Sequence, residues 1–379
     1  MNLNYQIYND INQLPNDWDD IAVDNVFLKK KYLEVLQNAS TDNMQCNYIG
    51  IFKEQELVGI AITQYLNLNK VSSFGERDNC IKTIIRNFIF RNFSSHVLFI
   101  GNNMLTGQNA FAFNNRISII DITISLEKAT KELIAILKKQ KIKIHLTVFK
   151  DFNTKDTNEI KQLLPKFYQF TTQPNMVFTI NENWVDQESY IGELTKKYRD
   201  QFKRANKKHL DIIKRKMSKD EIKSNEKIIH DLYLTVAKNA PFNTFFLTKN
   251  HFYNLKKQLG HDFLFYGYFI DEKLIGFNTL IKNEKVMETY FLGYDESIQR
   301  EKMLYLNMLY DMIAYSIHKK FKTIVFARTA LEIKSSVGAK PVNMYGFLKH
   351  RNYFINKIIG FLFTHLEPKA EWKERNPFK

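Results

Sequence analysis

The sequence predicts an α/β fold of the mixed-sheet (α+β) kind, in two tandem domains related by duplication, and three observations lead there. The chain has 379 residues, about two and a half times a typical domain of roughly 150. Hydrophobic side chains make up 44% and aromatic ones 14%, enough to fill sizeable cores and too much for a disordered chain. The segment Gly50-IFKEQELV-Gly59 returns as Gly267-YFIDEKLI-Gly276, both of the form G-[IY]-F-x4-L-[VI]-G.

Each copy sets apolar residues before a polar tetrapeptide (KEQE, IDEK) and an apolar strand after it, the pattern of a β-hairpin with a charged turn. A helical pattern over 27–37 precedes the first copy, and helical patterns over 190–217 and 228–238 precede the second. After the first copy, VLFIG (97–101) reads as a strand, SLEKATKELIAILKKQ (125–140) as an amphipathic helix with Ser125 as N-cap, and KIHLTVF (143–149) as a strand. After the second, METYFLG (287–293), a helix over 301–318 and KTIVFA (322–327) give the same order. The join falls near 150–186, which divides the chain into an N-terminal domain, 1–165, and a C-terminal domain, 166–379, holding a basic helix over 187–217 and the C-terminal tail.

Several chemistries are excluded by absent patterns. Cys46 and Cys80 cannot build a disulfide framework and neither lies in a zinc-type cluster, so no metal is expected. The sequence contains no GxSxG, HExxH or P-loop, and its nine histidines show no ligand spacing. The start MNLNYQIYND lacks a basic-then-apolar leader and no run of 18 apolar residues occurs. The expectation is a cytoplasmic protein, at most peripheral to the inner membrane face.

A net charge of +15 and a pI near 9.4 imply a field that attracts polyanions: nucleic acid, anionic lipid or a phosphate-bearing donor. The excess is local. Between Lys196 and Lys219 eleven Lys and Arg face two acids, Asp200 and Asp211. Tyr190, Leu194, Tyr198, Phe202 and Ala205 recur at three or four as a core-facing stripe, while Lys196, Arg199, Lys203 and Lys207 recur on another face. Such a cationic stripe suits a polyanion or a solvated surface. The tail NYFINKIIGFLFTHL (352–366), flanked by Lys349, Arg351, Lys357 and Lys369, fits either a docked terminal element or an amphipathic segment on an anionic membrane.

Helix, hairpin, strand, helix, strand, twice over, resembles tandem GNAT-fold proteins, and in particular the Fem-type transferases and related bacterial acyltransferases of Bacteroidetes-like sequences. Four stretches carry the likeness: FIGNNMLTGQNAF (99–111), YIGELTKKYRDQFKRANKK (190–208), FLGYDESIQREKMLYLNMLYDMIAYS (291–316) and ARTALEIKSSVGAKP (327–341). The stretch 190–208 resembles the Fem L-x-x-K-x-R-x-x-x-[KR]-[KR]-A helix, here Leu194, Lys197, Arg199, Lys203, Arg204 and Ala205. The stretch 327–341 resembles the closing Fem motif, with Lys334 followed four residues later by Gly338. The likeness implies an N-acyltransferase moving an acyl or aminoacyl group from an activated donor onto an amine. Acyl-CoA, an acyl carrier protein and aminoacyl-tRNA are the implied donors; a small-molecule or lipid amine, or a peptidoglycan precursor, is the implied acceptor. The turn Asp295-ESIQREK-Met303 departs from acetyl-CoA-using relatives because it has no glycine to let backbone N–H groups cradle a pyrophosphate. A non-catalytic module binding RNA or anionic lipid is the other class.

Amide formation asks little of side chains: an amine attacks an activated carbonyl, N–H groups steady the oxyanion and a base takes the proton. Period-two alternation over 286–293 puts Val286, Glu288, Tyr290 and Leu292 on one face, so Glu288 and Tyr290 are the candidate base and proton donor. Arg328, Glu332 and Lys334 lie just past the strand 322–327, where ligands of open α/β sheets bind. With Arg199, Lys203, Asn102 and Thr106 they form the candidate donor- and substrate-binding set.

Overall fold

The computed structural model describes residues 3–70, 93–171, 173–239, 243–366 and 372–379. Cys80 and Lys369 lie outside them. The chain divides into two units: Met1–Thr172 with Phe242–Leu247 and Asn343–Lys369, and Gln173–Pro241 with Thr248–Val342 and Ala370–Lys379. The first unit holds β1 (Asn4–Tyr8), β2 (Met44–Lys53), β3 (Glu56–Asn67), β4 (His96–Ile100), β5 (Phe111–Phe113), β6 (Leu146–Phe152) and β7 (Tyr168–Thr171). The second holds β8 (Asn175–Thr179), β9 (Ile213–Lys216), β10 (Phe263–Ile270), β11 (Lys273–Asn283), β12 (Val286–Tyr294), β13 (Thr323–Ala327) and β14 (Lys340–Val342), and β15 (Tyr345–His350) returns to the first.

The two sheets have matching order. One runs β1-β2-β3-β4-β6-β15-β7, with β5 also on β3; the other runs β9-β10-β11-β12-β13-β8-β14. Only the central pairs, β4 with β6 and β12 with β13, are parallel. This is a mixed α/β architecture built twice, as the sequence predicts. The division at residue 165 is seven residues short of the chain's passage from one unit to the next, and the assignment of all of 166–379 to the second domain fails for 343–369. β15 pairs β6 and β7 in the first sheet, a long-range pairing that local sequence does not announce.

The repeated hairpins explain themselves locally. Glu54 and Gln55 (φ 50° and 71°) and Asp271 and Glu272 (φ 46° and 62°) are left-handed pairs, the two-residue type I′ geometry whose twist matches flanking strands. A bulge follows at the same place in both, between Ile51 and Phe52 and between Tyr268 and Phe269. β11 is buried from Leu274 to Ile281 because helices cover both sheet faces, so it reads as a continuous apolar run rather than an alternation.

Helix boundaries differ from expectation where caps decide them. The helix of the first unit is Ile119–Lys139; Ser118 and Asp121 form its capping box, whereas Ser125 sits inside and donates back to the Asp121 carbonyl. The basic segment is not one helix over 187–217. Asp186 caps Gln187–Glu193, Leu194 and Thr195 are extended, Lys196–Lys208 follows, and Ile213–Lys216 is the edge strand β9. Lysines on an exposed edge also discourage strand-to-strand association.

Candidate functional site

β12 and β13 run side by side for only three residue pairs, Val286↔Thr323, Met287↔Ile324 and Glu288↔Val325. The ladder then stops, and the Thr289 hydroxyl donates to the Val325 carbonyl (3.0 Å) across the end of it. Glu288 stands at this fork.

On its other edge β12 bulges. Leu292 pairs Asn278 and Thr289 pairs Leu280, so Tyr290 and Phe291 together oppose Thr279, whose hydroxyl donates to the Phe291 carbonyl (2.5 Å). Tyr290 and Phe291 therefore turn to the same side: Tyr290 stacks on His251 and Phe291 meets Tyr233 edge-on. Val286, Glu288 and Tyr290 keep the shared face that alternation predicts, but the extra residue sends Leu292 to the opposite one. The helix Glu226–Asn239 covers this face so closely that a Cβ on Gly293 would meet Leu232 C and Tyr233 N at 2.6 Å. On the far face Met287 enters the core with Met308 and Ile313 of the helix Leu304–His318.

Burial pushes the Glu288 carboxyl up to about 8, against a hydrogen bond from Asn283 that pulls it down. The residue as a whole is half-buried, and its carboxyl is the desolvated part. The Tyr290 hydroxyl is 3.0 Å from His251 Nε2, and His251 is fully buried behind it on the helix His251–Leu259. His251 is missed by sequence reasoning because 39 residues separate it from Tyr290 and no local pattern marks the pair.

The loop after β13 is a strained turn rather than a run of solvated charge. Ala327, Thr329 and Ala330 have φ of 59°, 69° and 46°. Lys334, on the short helix Leu331–Ser336, is buried and donates from Nζ to the carbonyls of Arg328 (2.7 Å) and Ala327 (3.3 Å). Burial alone lowers this amine to about 7. Lys334 therefore holds the turn instead of offering an open charge to a donor. Glu332 is occupied by an ion pair with Arg375. Arg328 is half-buried.

The remaining candidates separate. Arg199 donates to the Leu194 carbonyl and ties two helices together, leaving the cationic stripe. Lys203 stays in it with Lys196, Lys197, Arg204, Lys207 and Lys208, all exposed and, among the described residues, without an acidic partner. A concavity of about 470 Å³ at the end of this helix is bounded by Lys207, Lys208, Leu210, Asp211, Glu301 and Lys302. Asn102 and Thr106 belong to the first unit. Asn102 is buried, donates to Tyr32 Oη (3.2 Å) and accepts from Gln64 (3.3 Å) and the Met104 N–H (3.0 Å); the Thr106 carbonyl accepts from Asn109 (3.1 Å).

A pyrophosphate cradle is not built at the β12 turn. The short helix Glu296–Lys302, capped by Asp295, fills the connection, and left-handed Met303 leads directly into Leu304–His318. Asn307 of that helix reaches back to the carbonyls of Ala205, Lys302 and Met303. The residues present do not fit coenzyme A held in that manner. Among the described residues no cluster suited to a metal ion occurs.

No protein-family model matches the chain, and no curated protein matches its sequence. Solved structures do match its fold. FemX is 11% identical over 89% of this chain and 93% of its own, with a TM-score of 0.52. A tandem GNAT protein from the clavulanic acid biosynthesis pathway is 8% identical over 93% and 99%, at 0.51. A conserved protein of unknown function from Bacteroides thetaiotaomicron is 9% identical over 88% and 97%, at 0.50. The fold is thus the tandem GNAT fold, with FemX among its structural neighbours.

Proposed function

We propose that the second unit catalyses transfer of an acyl or aminoacyl group from an activated donor onto an amine, with the chemistry at the β12–β13 fork. The observation that carries this reading is Glu288, a carboxyl with its pKa raised to about 8, half-buried where the parallel ladder ends. A base is most useful when its pKa lies near the working pH. The acceptor nitrogen attacks the donor carbonyl carbon, Glu288 takes the proton that nitrogen loses, and the Tyr290 hydroxyl, aimed by His251, stands on the same face. When the bond from carbonyl to leaving group breaks, the proton passes from Glu288 to the leaving oxygen or sulfur and the amide remains.

A second observation favours a nucleic-acid-borne donor, an aminoacyl-tRNA, over coenzyme A. The β12 turn lacks a pyrophosphate cradle, whereas the helix Lys196–Lys208 displays exposed cations at Lys196, Lys203 and Lys207 that have no acidic partner among the described residues. Transfer RNA binding that weakens by about 0.7–0.9 in log K per log salt for each phosphate met, and that drops in Lys203→Glu/Lys207→Glu, supports the donor. Absence of RNA binding at low salt overturns the donor and leaves the reaction class standing. The reaction class is tested by Glu288→Gln against a panel of thioester and aminoacyl-ester donors. Turnover should fall about 10²- to 10⁴-fold with donor binding kept, and full activity in that variant removes the fork from the chemistry.

A further inference from the structure

The last helix of the first unit, Tyr353–Leu366, has one side docked and one side turned outward. Ile359 is buried. Asn356 donates to the Lys166 carbonyl (2.9 Å) and accepts from the His350 N–H (2.7 Å), and Gly360 lies so near the Tyr168 ring that a Cβ would come within 2.7 Å. At about 100° per residue, 356, 359 and 360 share one side of the helix. Phe354, Ile358 and Phe361 lie across from it and are 76, 52 and 64% exposed, and Tyr353, in the first turn, is 65% exposed.

The charge on the outward side has one sign. Lys357 rises between these side chains with Nζ 4.7 Å over the Tyr353 ring, Lys349 and Arg351 stand just ahead of the helix, and no Asp or Glu occurs in 343–366. At the adjoining end of the sheet Lys143 and Arg351 lie near buried His145, which desolvation, more than these cations, lowers to about 4. Glu127 acts electrostatically on Lys349 and pairs with Lys131.

We propose that this face is an interfacial helix that docks the protein on an anionic bilayer. Phe354, Ile358 and Phe361 enter the boundary between headgroups and acyl chains, and Lys349, Arg351 and Lys357 meet lipid phosphates. An RNA would use the cations and leave the aliphatic and phenyl surface wet. A bilayer uses both, with lysine threading past aromatic rings to the headgroups.

The test uses the full chain with vesicles of phosphatidylcholine, with and without phosphatidylglycerol. Partitioning should be about tenfold or more stronger to the anionic vesicles, should fall in 0.5 M salt, and should drop about tenfold in Phe354→Ser/Ile358→Ser with the melting temperature kept. A Phe361→Trp probe should shift its emission to the blue on the anionic vesicles. Equal binding to both lipids overturns the proposal. So does loss of binding in Lys203→Glu/Lys207→Glu with none in Phe354→Ser/Ile358→Ser, which would move the contact to the basic helix. A dimer that dissociates in the Phe354→Ser/Ile358→Ser variant would assign the face to a second copy of the chain and overturn it as well.

Discussion

The two units carry the same fork and furnish it differently. In the first, β4 and β6 pair from Val97↔Leu146 to Ile100↔Phe149; in the second, β12 and β13 pair as far as Glu288↔Val325. Two residues beyond each last pair the chain turns left-handed, at Asp151 (φ 63°) and Ala327 (φ 59°), and a bulge against the next strand falls there in both. Ile100 therefore corresponds to Glu288, and Lys150 to Phe326. Ile100 is fully buried in the apolar core. Lys150 folds back into the first fork, where Nζ donates to the carbonyls of Asn102 (3.0 Å) and Leu105 (2.9 Å) and to Asp151 (2.5 Å). Gly101, with φ 134°, makes room for it, since a Cβ there would sit 2.8 Å from the Lys150 Cγ. A buried ion pair fills one fork and a half-buried carboxyl with a raised pKa occupies the other, so duplication supplied two forks and the proposed chemistry belongs to the second.

The widest break in this comparison is chemical. Glu288→Gln should cost about 10²- to 10⁴-fold in turnover and should lack the rise in rate expected of the wild type as pH climbs toward 8, because only the ionised carboxylate takes a proton. Ile100→Glu, the reciprocal change, should give no second activity and should destabilise, since it buries an unpaired carboxyl in a closed core. Turnover from the first fork in Ile100→Glu on a Glu288→Gln background would refute the assignment of roles.

Next in size is the plug itself. Lys150→Met removes one member of a buried ion pair, which should lower stability by about 3–5 kcal/mol in denaturant titration. Lys150→Met/Asp151→Asn should recover much of that loss. If the single variant is as stable as the wild type, the pair does not close the fork.

The second unit's buried lysine gives a pH signature in place of a salt bridge. Lys334 has a folded pKa near 7 against an ordinary 10.5, so between those values the unfolded chain holds a proton that the folded one lacks. Unfolding free energy should therefore rise as pH goes from about 7 toward 10.5, with no contribution to the slope below 7. Lys334→Met should flatten that rise while weakening the turn it braces through the Ala327 and Arg328 carbonyls. A wild-type slope identical to the variant's would show the amine charged and solvated.

What the sequence disclosed follows from how far each interaction reaches. The hairpins are legible because a polar pair needing left-handed φ sits between apolar strands, and the shared face of Glu288 and Tyr290 because alternation needs only neighbours. Leu292 was misplaced because the bulge answers to β11, not to β12 alone. The long basic helix was overextended because the same apolar spacing crosses the break at Leu194–Thr195, where Arg199 closes the junction through the Leu194 carbonyl. Lys334 and Lys150 look like surface charges in a string of letters, since burial of an ammonium depends on carbonyls supplied by a fold not yet formed. The β15 exchange and the His251–Tyr290 contact are long-range, and no local signal marks either.

The smallest effect tests the duplication where it is most local. Gln55 and Glu272 hold φ of 71° and 62° at the second turn position of equivalent type I′ hairpins. A non-glycine residue pays about 1 kcal/mol or more there, and glycine removes that strain while costing about 0.5–1 kcal/mol of extra unfolded-state entropy. Gln55→Gly and Glu272→Gly should each therefore stabilise by a few tenths of a kcal/mol, and by the same amount within error, as read by paired thermal melts. The Gly50 and Gly267 neighbourhoods sharpen the expectation: a Cβ at either would meet the ring of the phenylalanine two residues on, beside the bulge, Phe52 at 3.1 Å and Phe269 at 2.7 Å. Turn and bulge thus act as one unit in both copies. A gain in one hairpin matched by a loss in the other would mean that the two turns are held by different surroundings, and the correspondence between the forks would then rest on the strand register alone.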